Sequence, residues 1–402
     1  MTFYEISCRA FQKLLFFGQN LWPWGEPALL RGPGCVNELP ALIKSLGLRR
    51  VLLVTDAGLM RLSLPGPLLD GLEKAGIFCA VYDKTKANPT IHCVEEALRI
   101  YAETRCEAVV AFGGGSPMDC AKMVCLHTAY PHKEPGAFKG VQPVRLRTPP
   151  PLFAVPTTAG TGSEATLVAV VSDPETHVKY TVISPRLRPK YAVLDPALTL
   201  GLPPAVTAQT GLDALTHAVE AYLSLGRTKK TDARALEAVR LIFDHLETAY
   251  ADGADREARE AMLRASTCAG VAFTRAYVGY AHGIAHALGG LYDLPHGLAC
   301  AVALPHVLAA YGSAAYARLA DLHDAAGLPA SGQTAAEKAL TFIHALRILS
   351  TSLGIPASLR CIREEDIPEI AERALKESNP LYPVPRIWRQ EECEEVVRGM
   401  KG

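Results

Sequence analysis

Short apolar runs recur between helical patterns over the first 200 residues of this 402-residue chain, and this alternation constrains the fold most strongly. The runs lie at residues 49–58, 78–82, 107–119, 152–164 and 190–196. Apolar runs of this length, without polar alternation, are typical of parallel strands that are buried on both faces. The pattern therefore predicts an open, parallel α/β sheet with helices on both faces, a Rossmann-like arrangement.

The composition changes after Leu202-Pro-Pro-Ala205, where alanine, leucine, glutamate and arginine become dominant. Helical periodicity covers residues 206–223, 231–251, 257–274 and 335–353. We therefore predict two domains. Residues 1–200 form a nucleotide-binding α/β domain, with residues 1–28 as an N-terminal extension, and residues 201–402 form an all-helical domain.

Composition excludes several classes of function. The 41 basic residues balance 41 acidic ones, so the chain lacks the charge that would attract nucleic acid or an acidic membrane. No window reaches the ~18 uninterrupted apolar residues that a membrane span requires. The eleven cysteines are scattered without a CxxC pair, which is typical of reduced thiols in a cytosolic protein. We expect a soluble, cytoplasmic protein with no nucleic-acid or membrane partner.

Two glycine-containing polar segments each follow a predicted strand. They are Ala111–Pro117, which reads AFGGGSP, and Pro156–Ser163, which reads PTTAGTGS. Glycines allow backbone N–H groups to approach an anion, and a helix N-terminus adds partial positive charge. Either segment alone is also compatible with a ligand-free turn. Two of them at the carboxyl ends of neighbouring strands predict a nucleotide phosphate site.

Asp56 ends the first strong strand of the predicted sheet. A carboxylate at this position commonly accepts hydrogen bonds from an adenosine ribose and repels a 2′-phosphate. This favours NAD(H) over NADP(H). The alternative is an ordinary strand-end aspartate that caps a turn.

Four of the chain's 12 histidines lie in the segment from Gly279 to His306, among small and apolar residues. Such surroundings favour a buried site that uses imidazole nitrogen, although a helical hairpin with hydrogen-bonded core histidines fits the same pattern. Upstream, Asp213 and His217 lie four residues apart on one face of a predicted helix. Alone, that pair predicts only a contact between the two side chains.

His282 and His296 are 14 residues apart, and a continuous helix would separate them by ~21 Å. Two nitrogens bound to one metal lie within ~4 Å of each other, so the helix must break. We expect Gly289-Gly290 and Pro295 to supply the break. Asp213, His217, His282 and His296 then form an oxygen–nitrogen set suited to a divalent first-row metal, with no cysteine among them.

His286 lies one helical turn after His282, close to a metal without needing to bind it. It is suited to proton relay or to positioning a cofactor ring. We assign His306, which follows a Leu-Pro pair, to a structural role.

Four of these segments, in this order and spacing, resemble the iron-containing (group III) alcohol dehydrogenase family. They are AFGGGSPMD, PTTAGTGSE, GLDALTHAVEAY and HGIAHALGGLYDLPHG. The resemblance extends from about Leu29 to the end of the chain. It implies a dehydroquinate synthase-like fold, with a Rossmann-like NAD-binding domain followed by an all-helical metal-binding domain.

The resemblance also implies roles for individual residues. Asp213, His217, His282 and His296 are implied as the metal ligands, usually of Fe(II), although Zn(II) or another divalent metal fits these donors. His286 is implied as a catalytic histidine near the nicotinamide. The implied cofactor-binding residues are Asp56, Asn88, Gly114, Gly115, Ser116, Asp119, Thr157, Thr158, Thr161 and Lys179.

The implied reaction is reversible hydride transfer between NAD(H) and a primary alcohol or its aldehyde, with the metal polarising the substrate oxygen. The family resemblance further implies a homodimer or a larger homo-oligomer. Two alternatives stay open at this point. One is a polyol oxidoreductase of the same fold, similar to glycerol dehydrogenases, and the other is a non-catalytic protein that binds a nucleotide and a metal.

Overall fold

The computed structural model describes residues 2–19, 24–142, 148–173, 178–329, 332 and 334–402. The chain divides into two compact units, one formed by Pro23–Gly201 and the other by Met1–Trp22 with Leu202–Gly402. Residues 1–28 were expected to belong to the α/β domain. The N-terminal helix α1 (Phe3–Gln19) instead packs on the helical unit, because Gln12 on its inner side bonds to backbone carbonyls there.

A six-stranded parallel sheet forms the centre of the α/β unit and confirms the predicted fold class. Its strands are β1 (Ala28–Arg31), β2 (Arg50–Val54), β3 (Phe78–Tyr82), β4 (Ala108–Gly113), β6 (Leu152–Pro156) and β9 (Tyr191–Leu194). Their order in the sheet is β1-β9-β6-β4-β2-β3. Because β4 and β6 are neighbours with Gly113 opposite Pro156, the segments that follow these strands start side by side.

Helices cover both faces of this sheet, as the unbroken apolar strands predict. They are α2 (Leu39–Ser45), α3 (Ala57–Arg61), α4 (Gly66–Lys74), α5 (Ile91–Glu103) and α6 (Gly115–Ala129). Alternate residues of β4 enter different clusters. Val109 and Ala111 pack with α5 and α6, whereas Val110 and Phe112 pack with α2 and α4. The central strand is therefore buried on both faces.

A smaller sheet was not predicted. It contains β5 (Gly140–Val141), β7 (Val168–Asp173) and β8 (Val178–Ile183), in the order β5-β8-β7, and β7 and β8 are antiparallel. The alternation of strands and helices describes only parallel strands that are joined by helices. A strand pair joined directly along the chain lies outside that pattern.

Helices form the second unit, and α7 packs against both α8 and α9. Their bounds are α7 (Pro204–Leu223), α8 (Lys229–Ala251), α9 (Arg256–Ala276), α10 (Tyr280–Tyr292), α11 (His296–Tyr311), α12 (Tyr316–Ala325), α13 (Ala335–Ser352), α14 (Ile367–Ser378) and α15 (Gln390–Gly399). Within the described residues, one stretch, His296–Ala314, is long and apolar enough to cross a membrane, and 56% of it is buried inside the fold, as in a core helix.

Candidate metal centre and cofactor loops

Helix α7 carries the first half of the candidate metal centre. Asp213 and His217 lie one turn apart on its buried side, with exposed fractions of 3% and 6%. Nδ1 of His217 lies 3.9 Å from Oδ2 of Asp213. The His217 ring stacks on Phe273 of α9 with 4.2 Å between ring centroids. This packing fixes the imidazole plane and holds it beside the carboxylate.

The break between α10 and α11 brings the second half into place. Gly289 and Gly290 remain helical within α10, so the prediction that they form the break is wrong. The chain turns at Asp293, which has a left-handed φ of 52°, and α11 starts at His296 directly after Pro295. Aspartate tolerates this backbone conformation, and proline cannot supply the amide that a continuous helix needs.

The turn places three donor atoms close together. Nε2 of His282 and Nε2 of His296 lie 3.8 Å and 3.4 Å from Oδ1 of Asp213. Donor atoms bound to one ion at ~2.0–2.3 Å lie roughly 3.3–3.8 Å apart in a tetrahedral site. The distances therefore suit a single divalent metal ion.

Unsatisfied polar atoms provide an independent indication of a metal. Oδ1 of Asp213, Nδ1 of His217 and Nε2 of His282 are buried and have no hydrogen-bond partner in the part of the chain that the structure describes. Each such atom destabilises a fold by about 1–3 kcal/mol unless another group satisfies it. All three belong to the predicted ligand set, and a cation bound among them would satisfy them together. The residues present thus fit a metal ion.

Burial sets the charge state of these side chains. It lowers the pKa of His217 to about 3 and the pKa of His282 well below its usual value, so both rings are neutral near pH 7. Neutral imidazole is the form that coordinates metals. Burial also raises the pKa of Asp213, because water no longer stabilises its charge.

Cys300 adds a donor that the sequence analysis did not include. Among the described residues, donor atoms of Asp213, His282, His296 and Cys300 all lie within 4.8 Å of one another. Sγ of Cys300 lies 3.6 Å from Nε2 of His296, one helical turn earlier on α11. His217 lies beside this group, with its Nδ1 near Oδ2 of Asp213 rather than Oδ1. The structure thus brings three of the four predicted ligands together with a thiol, and His217 lies next to them.

Glu220 orients His282 and was missed by the sequence analysis. Its Oε2 lies 2.6 Å from Nδ1 of His282, and it accepts hydrogen bonds from the backbone amides of Gly279 and Ala281. A Cβ at Gly279 would come within 2.8 Å of the carboxylate, so glycine permits this approach. Burial raises the pKa of Glu220 to about 7. Its position one turn after His217, within the motif GLDALTHAVEAY, was the available sequence signal.

His286 has its own carboxylate partner, Glu377, at the end of α14. Nδ1 of His286 lies 2.6 Å from Oε1 of Glu377, and the Tyr382 hydroxyl donates to the same oxygen at 2.6 Å. Burial alone would raise the pKa of Glu377, but the opposing interactions with His286 and Tyr382 outweigh it and lower the pKa. A carboxylate at Nδ1 places the ring proton there and assigns proton exchange to Nε2. The His286 ring also stacks on His296, with centroids 5.0 Å apart.

In the α/β unit, the two glycine-containing segments are in contact. A Cβ at Gly114 would lie 3.1 Å from Oγ1 of Thr158, and a Cβ at Gly115 would lie 2.9 Å from Cγ2 of Thr161. The amide of Thr157 donates to the carbonyl oxygen of Gly113 at 3.1 Å. Because α6 begins at Gly115, its first amides face this junction. The geometry suits an anion held by backbone N–H groups.

Comparison with known proteins matches the chain to one family over both of its units. The family model described as "Iron-containing alcohol dehydrogenase" matches residues 27–196, and "Fe-containing alcohol dehydrogenase family, C-terminal" matches residues 207–400. A 1,3-propanediol dehydrogenase from Citrobacter freundii is 40% identical over 372 residues, covering 91% of this chain and 95% of the relative. The chain belongs to the iron-containing alcohol dehydrogenase family.

Two further comparisons extend this result. An NAD-dependent methanol dehydrogenase from Bacillus methanolicus is 38% identical over 362 residues, covering 88% of this chain and 94% of the relative. A crystal structure of 1,3-propanediol oxidoreductase superimposes with a TM-score of 0.90 at 39% identity, covering 94% of this chain and 99% of that one. As a member of the iron-containing alcohol dehydrogenase family, the chain is an NAD-dependent oxidoreductase of alcohols and aldehydes.

One cofactor residue implied by the iron-containing alcohol dehydrogenase family, Asp119, already forms hydrogen bonds within the protein. Asp119 on α6 accepts hydrogen bonds from Oγ of Ser163 and from the amide of Val170, both at 3.0 Å. Lys122, one turn later and fully buried, donates to Oγ of Ser163 at 2.8 Å and to Oγ1 of Thr166 at 2.7 Å. These contacts fasten the second loop to α6. Lys122 was missed, although a lysine within MDCAKMVCL is a visible signal.

The remaining candidates have separate positions. Oδ1 of Asp56 accepts hydrogen bonds from the amides of Gly58 and Leu59 and caps α3, which was the structural alternative for this residue. The amide of Asn88 donates to Oγ of Ser116 at 3.3 Å, which places Asn88 beside the first loop. The side chain of Lys179 lies outside the described residues. Contacts of these residues with cofactor stay predictions.

Proposed function

We propose that this chain catalyses reversible oxidation of a short primary alcohol to its aldehyde with NAD(H), at a divalent metal held by the helical unit. The observation that supports this proposal most strongly is that Nε2 of His282 and Nε2 of His296 lie 3.8 Å and 3.4 Å from Oδ1 of Asp213, a buried atom with no hydrogen-bond partner among the described residues. A non-catalytic binding protein would not need the proton-exchanging pair of His286 and Glu377 beside such donors.

In this proposal, Asp213, His217, His282 and His296 hold Fe(II). The bound metal supplies a Lewis acid that polarises the substrate oxygen. Glu220 holds the imidazole of His282 in the orientation that turns Nε2 toward Asp213. Partners of this kind fix the tautomer of a liganding histidine and raise its basicity.

His286 relays the hydroxyl proton of the alcohol during oxidation and returns it during reduction. Its Nδ1 is held by Glu377, so the exchanging atom is Nε2. The Glu377 carboxylate stabilises the imidazolium while the proton resides on the ring. Tyr382, which donates to the same oxygen, keeps Glu377 in place.

The cofactor lies on the two loops of the α/β unit. The amides at Gly114, Gly115 and Ser116 hold the pyrophosphate, and the hydroxyls of Thr157, Thr158 and Thr161 form the second side of the site. Asp56, Asn88 and Lys179 complete the set, with Asp56 accepting the ribose hydroxyls and disfavouring NADPH. Asp119 acts by positioning the second loop through Ser163.

The substrate class is a small primary alcohol or aldehyde. The relatives named above are dehydrogenases of 1,3-propanediol and methanol. The stacking of Phe273 on His217 places an apolar ring at the metal centre, which favours a carbon chain over a charged group. We further propose that the enzyme works in the cytoplasm as a homo-oligomer, and its eleven free cysteines are consistent with a reducing compartment.

The test is NADH oxidation by anaerobically purified enzyme with Fe(II) and a panel of short aldehydes. We expect turnover of some aldehydes, with NADH used in preference to NADPH. His286→Ala lowers kcat by about 10²–10⁴-fold and removes its pH dependence if the relay is correct, whereas His92→Ala, an exposed histidine on α5, leaves both unchanged. If no aldehyde or alcohol were turned over, the result would favour a non-catalytic protein that binds a nucleotide and a metal.

A further inference from the structure

Helix α1 presents its apolar side to solvent. Phe3, Ile6, Ala10, Leu14 and Phe17 follow one another at intervals of three or four residues and therefore lie along one side of the helix. We call these five residues the α1 stripe. Its large members have exposed fractions of 88% for Phe3, 52% for Ile6, 72% for Leu14 and 70% for Phe17. This polarity is opposite to that of an ordinary surface helix.

The other side of α1 carries polar residues together with Cys8 and Phe16 and is fastened to the helical unit. Nε2 of Gln12 donates to the carbonyl oxygens of Pro380 and Tyr382, both at 2.9 Å. Arg9 donates to the carbonyl oxygen of Pro385 at 3.2 Å. Because these bonds hold the inner side against the protein, the α1 stripe is a fixed part of the outer surface.

The order of residues in the α1 stripe is symmetric about Ala10. Ile6 and Leu14 lie four residues on either side of it, and Phe3 and Phe17 lie seven residues on either side. In an antiparallel pair of identical helices with a two-fold axis at Ala10, each phenylalanine faces a phenylalanine and each isoleucine faces a leucine. The small alanines at the axis allow close approach of the two backbones. Symmetric interfaces between identical subunits have this self-complementary form.

We propose that the α1 stripe packs antiparallel against the α1 stripe of a second copy of this chain. The four large side chains expose roughly 500 Å² per copy, taking 150–250 Å² for each aromatic residue. Two copies then bury about 1,000 Å², the minimum for a biological interface and the size of a weak, reversible one. A patch of about 500 Å² on one copy lies at the upper end of the range for monomers, where such patches are often functional.

A second copy fits α1 better than a lipid surface does. Helices that lie on membranes carry several lysines or arginines on a polar side that faces water. The polar side of α1 is instead docked on protein, and Arg9 is bonded to Gln12 and Pro385. Among the described residues of α1, Lys13 is the exposed cation. Attraction to anionic lipid is correspondingly weak.

Sedimentation velocity on the 402-residue enzyme tests whether the α1 stripe joins two copies of the chain. Leu14→Glu is expected to halve the mass of the assembly, because two carboxylates then enter an apolar contact. Leu340→Glu is the matched control, since Leu340 is an exposed leucine on α13 at 55%. It is expected to leave the mass unchanged. Retained circular dichroism in both variants shows that they fold. An unchanged mass of Leu14→Glu would overturn the proposal.

The register is tested by exchanging charges. Ile6→Glu and Leu14→Lys are each expected to dissociate the pair. The double variant Ile6→Glu/Leu14→Lys is expected to restore the original mass, because antiparallel packing sets each glutamate opposite a lysine of the second copy. A parallel pair would bring like charges together, so failure of the double variant to reassociate contradicts the antiparallel arrangement. A wild-type enzyme that is monomeric and sediments with phosphatidylglycerol vesicles would also overturn the proposed pairing. That result would show that the α1 stripe binds a lipid surface instead.

Discussion

The metal centre and the cofactor loops satisfy their polar groups in different ways. In the metal centre, Asp213, His217 and His282 each have a buried polar atom that has no hydrogen-bond partner among the described residues. Behind the cofactor loops, Lys122 is equally buried and Asp119 is half-buried, and the two share Oγ of Ser163 as a hydrogen-bond partner. The side chains of the metal centre are therefore suited to bind a ligand directly. The side chains behind the cofactor loops instead fix the backbone of those loops.

This difference predicts separable effects of substitution. Changes behind the loops act on stability and cofactor affinity and leave metal content unchanged. Changes around the metal centre act on metal affinity and leave NADH binding unchanged.

Lys122→Met is expected to destabilise the α/β unit by about 1–3 kcal/mol, because it removes the buried charge that offsets the half-buried Asp119 carboxylate. Thermal unfolding, followed by circular dichroism, measures the loss. The double variant Lys122→Met/Asp119→Asn removes both charges and is expected to recover part of it. If the single and double variants were equally unstable, the charge interaction would not be the cause.

Glu220→Gln is expected to weaken metal binding by about 10–100-fold, because the neutral amide orients the imidazole of His282 less firmly. Competition with a chromophoric chelator measures the affinity. Glu257→Gln, an exposed glutamate on α9, serves as the control and should bind metal normally. An unaltered affinity in Glu220→Gln would show that Glu220 is not needed to position His282.

Gly115→Ala is expected to raise the Kd for NADH about tenfold, since overpacking of this kind costs about 1–3 kcal/mol. The added Cβ would meet Cγ2 of Thr161 at 2.9 Å. Thr161→Ser removes that methyl group, so the double variant Gly115→Ala/Thr161→Ser should regain most of the affinity. Fluorescence titration with NADH measures each Kd. Weak binding that persists in the double variant would argue against contact between the loops as the cause.

Cys300→Ser is expected to change metal affinity by less than about threefold, equivalent to well under 1.4 kcal/mol. Burial raises the pKa of the Cys300 thiol, and a protonated thiol is a poor metal ligand. Absorption spectra of Co(II)-substituted enzyme provide the measurement. A sulfur-to-cobalt band in the near ultraviolet that disappears in Cys300→Ser would instead place the thiol among the ligands.

The sequence predicted those parts of the molecule that depend on local pattern. The buried strands and the pairing of Asp213 with His217 follow from periodicity, and the approach of His282 to His296 follows from ligand distances. The position of the helix break did not, because glycines are tolerated within α10 while Asp293 adopts a left-handed conformation. Glu220 lies one turn after His217, but its contact with His282 was missed because His282 is 62 residues away along the chain. Glu377 was missed because it meets His286 across 91 residues, which no local spacing reveals.

The most direct test of the central claim is metal removal and readdition, with Asp213→Ala as the companion variant. Chelator-treated wild-type enzyme should lose aldehyde reduction and regain it with about one Fe(II) per chain, the occupancy of a single four-ligand site. Asp213→Ala should bind no stoichiometric metal and regain no activity, whereas Asp244→Ala, an exposed aspartate on α8, should behave like wild type. Full activity of metal-free wild type, or restoration of Asp213→Ala by Fe(II), would contradict the account.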